Sequence, residues 1–291
     1  MPSLSSTAYG AASIRAVENL LPEDERLFND PFSEKLLPPI YKFFVMIMRH
    51  PIIWNLLMNM RKRTTPGVVG GILCRTLYID DLLIKVIKEG VGAVVNLGAG
   101  ADSRAFRIPG IEGIPYFELD HPEVIKYKRS IIDKKMGGLP PNLSLVPINF
   151  NSQKLGEELK KAGYDLSLKT LFMWEGVTQY IDREAIDNTL RYVAQAPAGS
   201  KIVFTYVLES FINGSYIPNG LGSLYKLMLK KKNPLWHCGF NPAEMQKYLL
   251  EFSLYLIEDI GSEEFVERYI EPTGRDLTVM DIERTVLAVV K

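Results

Sequence analysis

The sequence predicts an α/β fold: an open, mainly parallel sheet of seven strands wound with helices, bearing an N-terminal helical cap and an insertion after the fifth strand. Three observations carry this. From Gly92 onward, short apolar runs alternate with helical stretches, the pattern of a parallel sheet buried on both faces. The first run, Ala93 to Leu97, leads into Gly98-Ala99-Gly100, where residues without a Cβ let the backbone turn sharply and approach a ligand. The ninety residues before it hold no strand signal.

Taken in order, Ser13 to Leu21 reads as a helix ended by Pro22. Asp30-Pro31 supplies a capped start, with Pro at the first helical position, for a helix through Leu37. Two apolar helices, about 41–49 and 52–63, flank Pro51, and a helix over about 68–89 follows the Thr65-Pro66-Gly67 break. Strand two is Ile114 to Leu119, with a helix from Pro122 to Lys135. Leu143 to Ile148, Thr170 to Trp174 and Lys201 to Val207 read as strands three to five, with helices at Ser152–Ala162 and Arg183–Gln195 between them. Glu209 to Gly239 breaks the alternation, and a connection of that length reads as a lid or substrate-binding insertion. After a helix at Pro242–Glu251, strands near Leu254–Glu258 and Glu283–Val290 suggest an antiparallel ending. The expected organisation is a cap over residues 1–90 and a core over 91–291, with the lid at about 208–240.

A chain of 291 residues with 47% hydrophobic and 23% charged residues can bury a sizeable core. Its 34 basic and 34 acidic residues cancel, so no global basic field for nucleic acid is indicated. Cys74 and Cys238 stand far apart in no metal-like spacing, which argues against a disulfide framework or a zinc site and for a reducing cytoplasm. MPSLSSTAYG lacks the basic and apolar regions of a secretory signal. Leu36 to Met60 is apolar but interrupted by Lys42, Arg49, His50 and Pro51. Its runs fall short of the roughly twenty residues that span a bilayer, so stable insertion is not expected. Helices over a core or substrate cavity are the expectation, with shallow membrane contact as the alternative.

Ligands of such sheets sit at the carboxyl ends of the strands. Asp120 closes strand two twenty residues after Gly100, where one carboxylate can accept both hydroxyls of a ribose. A dinucleotide fingerprint would need a third glycine, but Ser103 and Arg104 stand there, and no phosphate loop of the G-x-x-x-x-G-K-[ST] type is present. S-adenosylmethionine (SAM) carries an adenosine but no phosphate, and so needs the acid without that glycine. Asn149, followed by Phe150, comes after strand three; an amide there can accept from the adenine N6 amino group, and a local cap on the next helix is the alternative. Glu175, after strand four, is the acid available to the methionine ammonium, with a surface acid at a helix start as the alternative. Arg75, just before strand one, is the cation available to the methionine carboxylate, unless it pairs with Asp80 or Asp81. Arg104 and Arg107 read as structural, paired with acids such as Asp102 or Glu118. Tyr206, at the end of strand five, is a candidate substrate contact, and His121 reads as a helix-start neighbour of Asp120.

VVNLGAGADSRAFRI, FELDHPEVIKYK and LFMWEGVTQYI resemble the signature blocks of the leucine carboxyl methyltransferase family, which includes polyketide O-methyltransferases similar to the tetracenomycin enzyme. RLFNDPFSEKL and the RYIEP…ER…A tail resemble its bacterial and archaeal polyketide-type branch. The resemblance implies a class I SAM-dependent methyltransferase with a Rossmann-like, seven-stranded sheet. It assigns the carboxylate-binding role to Arg75, a second basic contact to Arg15 in the N-terminal helix, and the ammonium contact to Glu175. At the position of Asn149 the family more often has Asp, and Asn keeps the acceptor.

Methyl transfer from a sulfonium is an in-line displacement, in which the protein aligns the reactants and excludes water. A carboxylate acceptor is ionised at neutral pH and needs no base, whereas a phenol or alcohol gains from one. No Ser/His/Asp array or paired catalytic acids can be read, so no catalytic residue is assigned. The expected activity is O-methylation of a carboxylate or hydroxyl of a small molecule, with a protein C-terminal carboxylate as a lesser option. A nicotinamide-dependent oxidoreductase and a non-catalytic SAM-binding protein are the alternatives. No nucleic-acid partner is expected, and a monomer is favoured.

Overall fold

The computed structural model describes residues 4–230 and 232–291. The first three residues of the segment read as lacking a signal, and Lys231, lie outside the described residues. Seven strands form one sheet: β1 (Ala93–Leu97), β2 (Tyr116–Asp120), β3 (Leu143–Pro147), β4 (Thr170–Trp174), β5 (Lys201–Val207), β6 (Leu254–Ile260) and β7 (Glu283–Val290). Their order is β3-β2-β1-β4-β5-β7-β6. The first five pair in parallel, and β7 runs antiparallel between β5 and β6. The predicted seven-stranded, mainly parallel sheet is therefore present, and its order reverses between β1 and β4, where such sheets open a crevice for ligands.

Helices cover both faces. On one, α8 (Leu155–Lys161), α9 (Arg183–Val193) and α12 (Met245–Leu250) set Leu159, Leu190 and Leu249 against Val95, Phe172 and Phe204. On the other, α5 (Val68–Lys88) packs Ile79, Leu83 and Val86 against Val94, Met173 and Val203. Strand residues alternate between the two cores because successive side chains of a strand point to opposite faces. α5 is thus a layer of the fold, while α1 (Leu4–Glu18), α2 (Ser33–Leu36), α3 (Pro39–Met48) and α4 (Pro51–Thr64) extend beyond it. Tyr9, Ala12 and Ala16 of α1 share a third cluster with Leu36, Leu37, Val45 and Ala101, so this helix lies on the turn that follows β1.

Several boundaries differ from expectation for local reasons. α1 starts nine residues before Ser13, since the small and polar residues of LSSTAYGAA give no apolar periodicity to announce a helix. α2 starts at Ser33 because the Asp30 carboxylate accepts from the N–H groups of Phe32 and Ser33, holding Pro31 in the preceding turn. β3 ends at Pro147 and α8 begins only at Leu155. The connection from β6 to β7 carries helical turns, including one π turn at Val266–Ile270, which the sequence did not signal. The insertion after β5 holds α10 (Glu209–Ile212) and α11 (Gly222–Met228) around Phe211, Tyr225 and Trp236. Its two ends are pinned together, Glu209 N donating to Phe240 O at 2.9 Å and Phe240 N to Val207 O at 3.0 Å.

Candidate functional site

The turn after β1 is built on two glycines with positive φ, 75° at Gly98 and 49° at Gly100, a conformation L side chains adopt only with strain. Space closes the argument: a Cβ on Gly98 would stand 2.3 Å from Val177 Cγ2 in the loop after β4. One on Gly100 would stand 2.9 Å from Ala8 Cβ of α1. The turn is therefore held between the N-terminal helix and the β4 loop. Gly100 N donates to Asp120 Oδ2 and His121 N to Oδ1, both at 2.6 Å. Burial pushes the Asp120 carboxyl above the usual range, against the pull of these two N–H groups.

Behind the turn, around the short helix α6 (Arg104–Arg107), lies a buried charge network. Arg75 Nε donates to Glu175 Oε1 at 2.9 Å, and its Nη1 donates to both Glu283 oxygens, at 2.6 and 2.9 Å. Arg104, 2% exposed, donates to Glu175 Oε2 at 2.8 Å, to Asp80 Oδ1 at 2.7 Å and to Asp102. Burial disfavours both the Arg75 cation and the Glu175 anion. The Glu283 and Glu175 carboxylates nevertheless keep Arg75 charged beyond the usual guanidinium range. Arg104, then Arg75 and Arg15, hold Glu175 below the usual carboxylate range. Arg15 reaches the region from α1, with Nη2 on Ala101 O at 2.9 Å and Nε on Asp30 at 3.2 Å.

The structure thus gathers Arg15, Arg75, Gly98, Gly100, Asp120 and Glu175 around the carboxyl ends of β1, β2 and β4. Arg75 pairs with Glu175 and Glu283, whereas Asp80 takes Arg104 and Arg107. Asn149 is exposed after β3, and its side-chain oxygen accepts from Asn151 N at 3.1 Å, a local turn. Phe150 sets its ring 6.4 Å from that of Trp174. Tyr206 is not on an open rim: it is fully buried, its hydroxyl donates to Asp259 at 2.7 Å, and its ring packs on Phe240. The antiparallel insertion of β7, which brings Arg284 opposite Tyr206 and onto Asp259, explains this enclosure. His121 is exposed and accepts from Glu123 N as the cap of α7 (Pro122–Lys135).

Glu283 and Lys128 had no expected role, and Asp80, weighed as a partner of Arg75, pairs with Arg104 and Arg107 instead. Glu283 lies in the ER pair of the C-terminal block, which marked the position without a role. Lys128, expected nowhere in particular, meets the fully buried Glu118 at 2.5 Å.

An adenosine with a methionine tail needs an acid for the ribose and one charge of each sign for the zwitterion. Asp120, Glu175 and Arg75 offer two acids and a cation at the carboxyl ends of the strands, so the residues present fit such a group. The fold is that of the class I SAM-dependent methyltransferases. The sequence profile of leucine carboxyl methyltransferases matches residues 8–194, well over half of the chain. A protein of Frankia alni, provisionally named an S-adenosyl-L-methionine-dependent methyltransferase, is 32% identical over 206 residues, 69% of this chain and 68% of its own. One of Mycobacterium marinum, named likewise, is 29% identical over 213 residues, 72% of this chain and 69% of its own. Among solved structures, a DUF574 family protein of Streptomyces avermitilis superposes with a TM-score of 0.57 at 12% identity, over 96% of this chain and 97% of its own. A methyltransferase so named provisionally in Thermobifida fusca gives 0.54 at 13% identity, over 81% and 88%. The chain belongs to the leucine carboxyl methyltransferase family.

Proposed function

We propose that this enzyme methylates an oxygen, carboxylate or hydroxyl, of a small molecule. The observation that carries the reading is the buried Arg75–Glu175 pair beside the Gly98–Gly100 turn and Asp120. When bound, SAM supplies an electrophilic methyl group on a sulfonium. Arg75 and Arg15 are the cations for its carboxylate, Glu175 the acid for its ammonium, Asp120 the acceptor for the ribose hydroxyls. Asn149 and Phe150 stand where the adenine would lie, and Gly98 and Gly100 let the backbone come close. A zwitterion brings one charge of each sign, so it can replace the contact Arg75 and Glu175 make with each other without leaving either unpaired. In this reading α1 to α4 act as a cap, residues of about 208–240 act as a lid, and the protein works as a monomer in a reducing cytoplasm. Closure by both excludes water from the reactants.

No base is built into the reading, since a carboxylate acceptor is already ionised near neutral pH. The test is transfer of labelled methyl from SAM to panels of small carboxylic acids and phenols, alongside calorimetry with SAM, its demethylated product and NAD. Binding of the two sulfur nucleosides and labelling of either panel supports it. Binding of NAD instead, or SAM binding with labelling confined to protein C-termini, overturns it.

A further inference from the structure

Helices α3 and α4 show water an apolar face that no other element covers among the described residues. On α3, Val45 and Met48 turn inward, while Ile40, Phe43 and Met46 are 70%, 55% and 52% exposed. On α4, Ile52, Leu56 and Met60 are exposed, and none of its described side chains is buried. The spacing, three residues on α3 and four on α4, puts each trio on one side of its helix. Among the described residues twelve large apolar side chains are exposed. Six are these, and three more, Tyr216, Ile217 and Leu227, lie in the insertion after β5. The two regions touch: a Cβ on Gly220 would stand 2.7 Å from Pro66 Cγ and 3.4 Å from Arg63 O. An apolar surface of this extent on a folded chain marks something it docks against.

Charge says what that is. Residues 35–79 contain seven Lys and Arg and no Asp or Glu, and residues 210–243 contain four and none, in a chain with 34 of each sign. Arg49 and Lys62 stand exposed beside the apolar trios in surface pairs with Glu34 at 3.1 Å and Asp276 at 2.6 Å, contacts weak enough in water for lipid phosphates to displace. Arg63 stands exposed next to them. A second copy would bring like charges together. An anionic lipid surface offers acyl chains to the apolar residues and phosphates to the basic rim at once. Among the described residues no helix is long and apolar enough to cross a membrane. α4, with 14 residues, spans only about 21 Å against a core of about 30 Å, so it would lie in the plane of the surface. We propose that α3, α4 and the exposed part of the insertion form a docking face for the headgroup region of an anionic phospholipid bilayer. Since α1 packs on both α3 and the turn after β1, docking there sets the cofactor turn close above the lipid surface.

The test uses the full chain and needs no methyl transfer, so it stands or falls apart from the proposed activity. Sedimentation is measured with vesicles of phosphatidylcholine alone and with a third of phosphatidylserine. Binding is expected to the anionic vesicles, weakened by raised salt, with a blue shift of Trp54 emission; the other two tryptophans, Trp174 and Trp236, are already buried. Ile52→Ser with Leu56→Ser is expected to lower vesicle affinity by about tenfold or more, and Lys62→Gln with Arg63→Gln to remove most of the salt dependence. Far-UV spectra and SAM affinity should stay unchanged in both. Absence of binding to anionic vesicles at low salt, equal binding to both vesicle types, or a lipid-free dimer that the Ile52/Leu56 variant dissolves would each overturn the proposal.

Discussion

Arg75 is shared between Glu175, 100 residues away in sequence, and Glu283, 208 residues away, through different nitrogens of one guanidinium. Glu283 orients the fork through Nη1 and leaves Nε to face Glu175, so in the proposed site Glu283 is structural and Glu175 is the carboxylate offered to the cofactor. Arg75→Ala and Glu175→Ala should each weaken SAM binding at least about tenfold, the scale of one lost charged hydrogen bond. Arg75→Ala should also destabilise the fold by about 3–5 kcal/mol, because buried Glu283 loses its counter-charge while Glu175 keeps only Arg104. Calorimetry and urea unfolding measure the two effects. Since Arg15 and Arg75 both come from before Gly92, SAM should further protect that third from limited proteolysis. Equal cleavage with and without SAM, with wild-type affinity in the Arg75 variant, would remove the clamp.

Asp120 does two jobs that one substitution can separate. Its carboxylate holds Gly100 N and His121 N, and in the proposed site it also accepts from the ribose. Asp120→Asn keeps an acceptor for the backbone but halves the acceptor capacity and removes the charge. Roughly 1.5–3 kcal/mol is expected per hydrogen bond weakened, or about tenfold or more in SAM affinity, with a smaller loss of stability. Unchanged affinity by calorimetry would place the ribose elsewhere.

What could be read in the sequence follows from how local its cause is. β1, β4 and β5 were legible to the residue, since short, mostly apolar runs of five to seven residues between turn signals leave no competing pattern. α7 was legible because Pro122 marks its first turn. Glu283 was not legible as Arg75's partner, because no local pattern reports a contact made by an inserted antiparallel strand. The same insertion hid the fate of Tyr206, whose place at a strand end suggested a rim, although β7 and β6 close over it. Arg104 was legible as structural beside Asp102, but its links to Asp80 and Glu175 needed three elements brought together.

Gly98 gives a test of the turn that does not depend on any ligand. Gly98→Ala meets two penalties, the positive φ and a Cβ only 2.3 Å from Val177 Cγ2. The strain alone is worth about 1–3 kcal/mol, and the contact adds to it. Gly98→Ala with Val177→Ala should recover the contact and keep the strain, so denaturant midpoints should fall in the order wild type, double variant, single variant. A double variant no better than the single one would show that the β4 loop does not press on the turn.

Glu118 should control how stability varies near neutral pH. It lies fully buried on β2, its oxygens receive no well-aligned hydrogen bond, and its counter-charge is Lys128 Nζ at 2.5 Å. Burial raises its pKa to about 7; Lys128 opposes that and Asp102 adds to it. In the unfolded chain a glutamate titrates near ~4.3. Between these values the folded protein holds a proton that the unfolded chain has released, so stability falls as pH rises. The contribution is fully present below about pH 4, declines through about pH 7, and is gone above it. Asp102 and Glu175, both held below the usual carboxylate range, act the other way and only in acid, as their stabilisation is lost when pH falls through their folded values. Unfolding free energies measured from pH 5 to pH 8 should therefore slope downward in the wild type. Glu118→Gln stays neutral at every pH and should flatten that slope, while leaving the acid limb set by Asp102 and Glu175 in place. A slope that survives in Glu118→Gln would show that another group holds the proton.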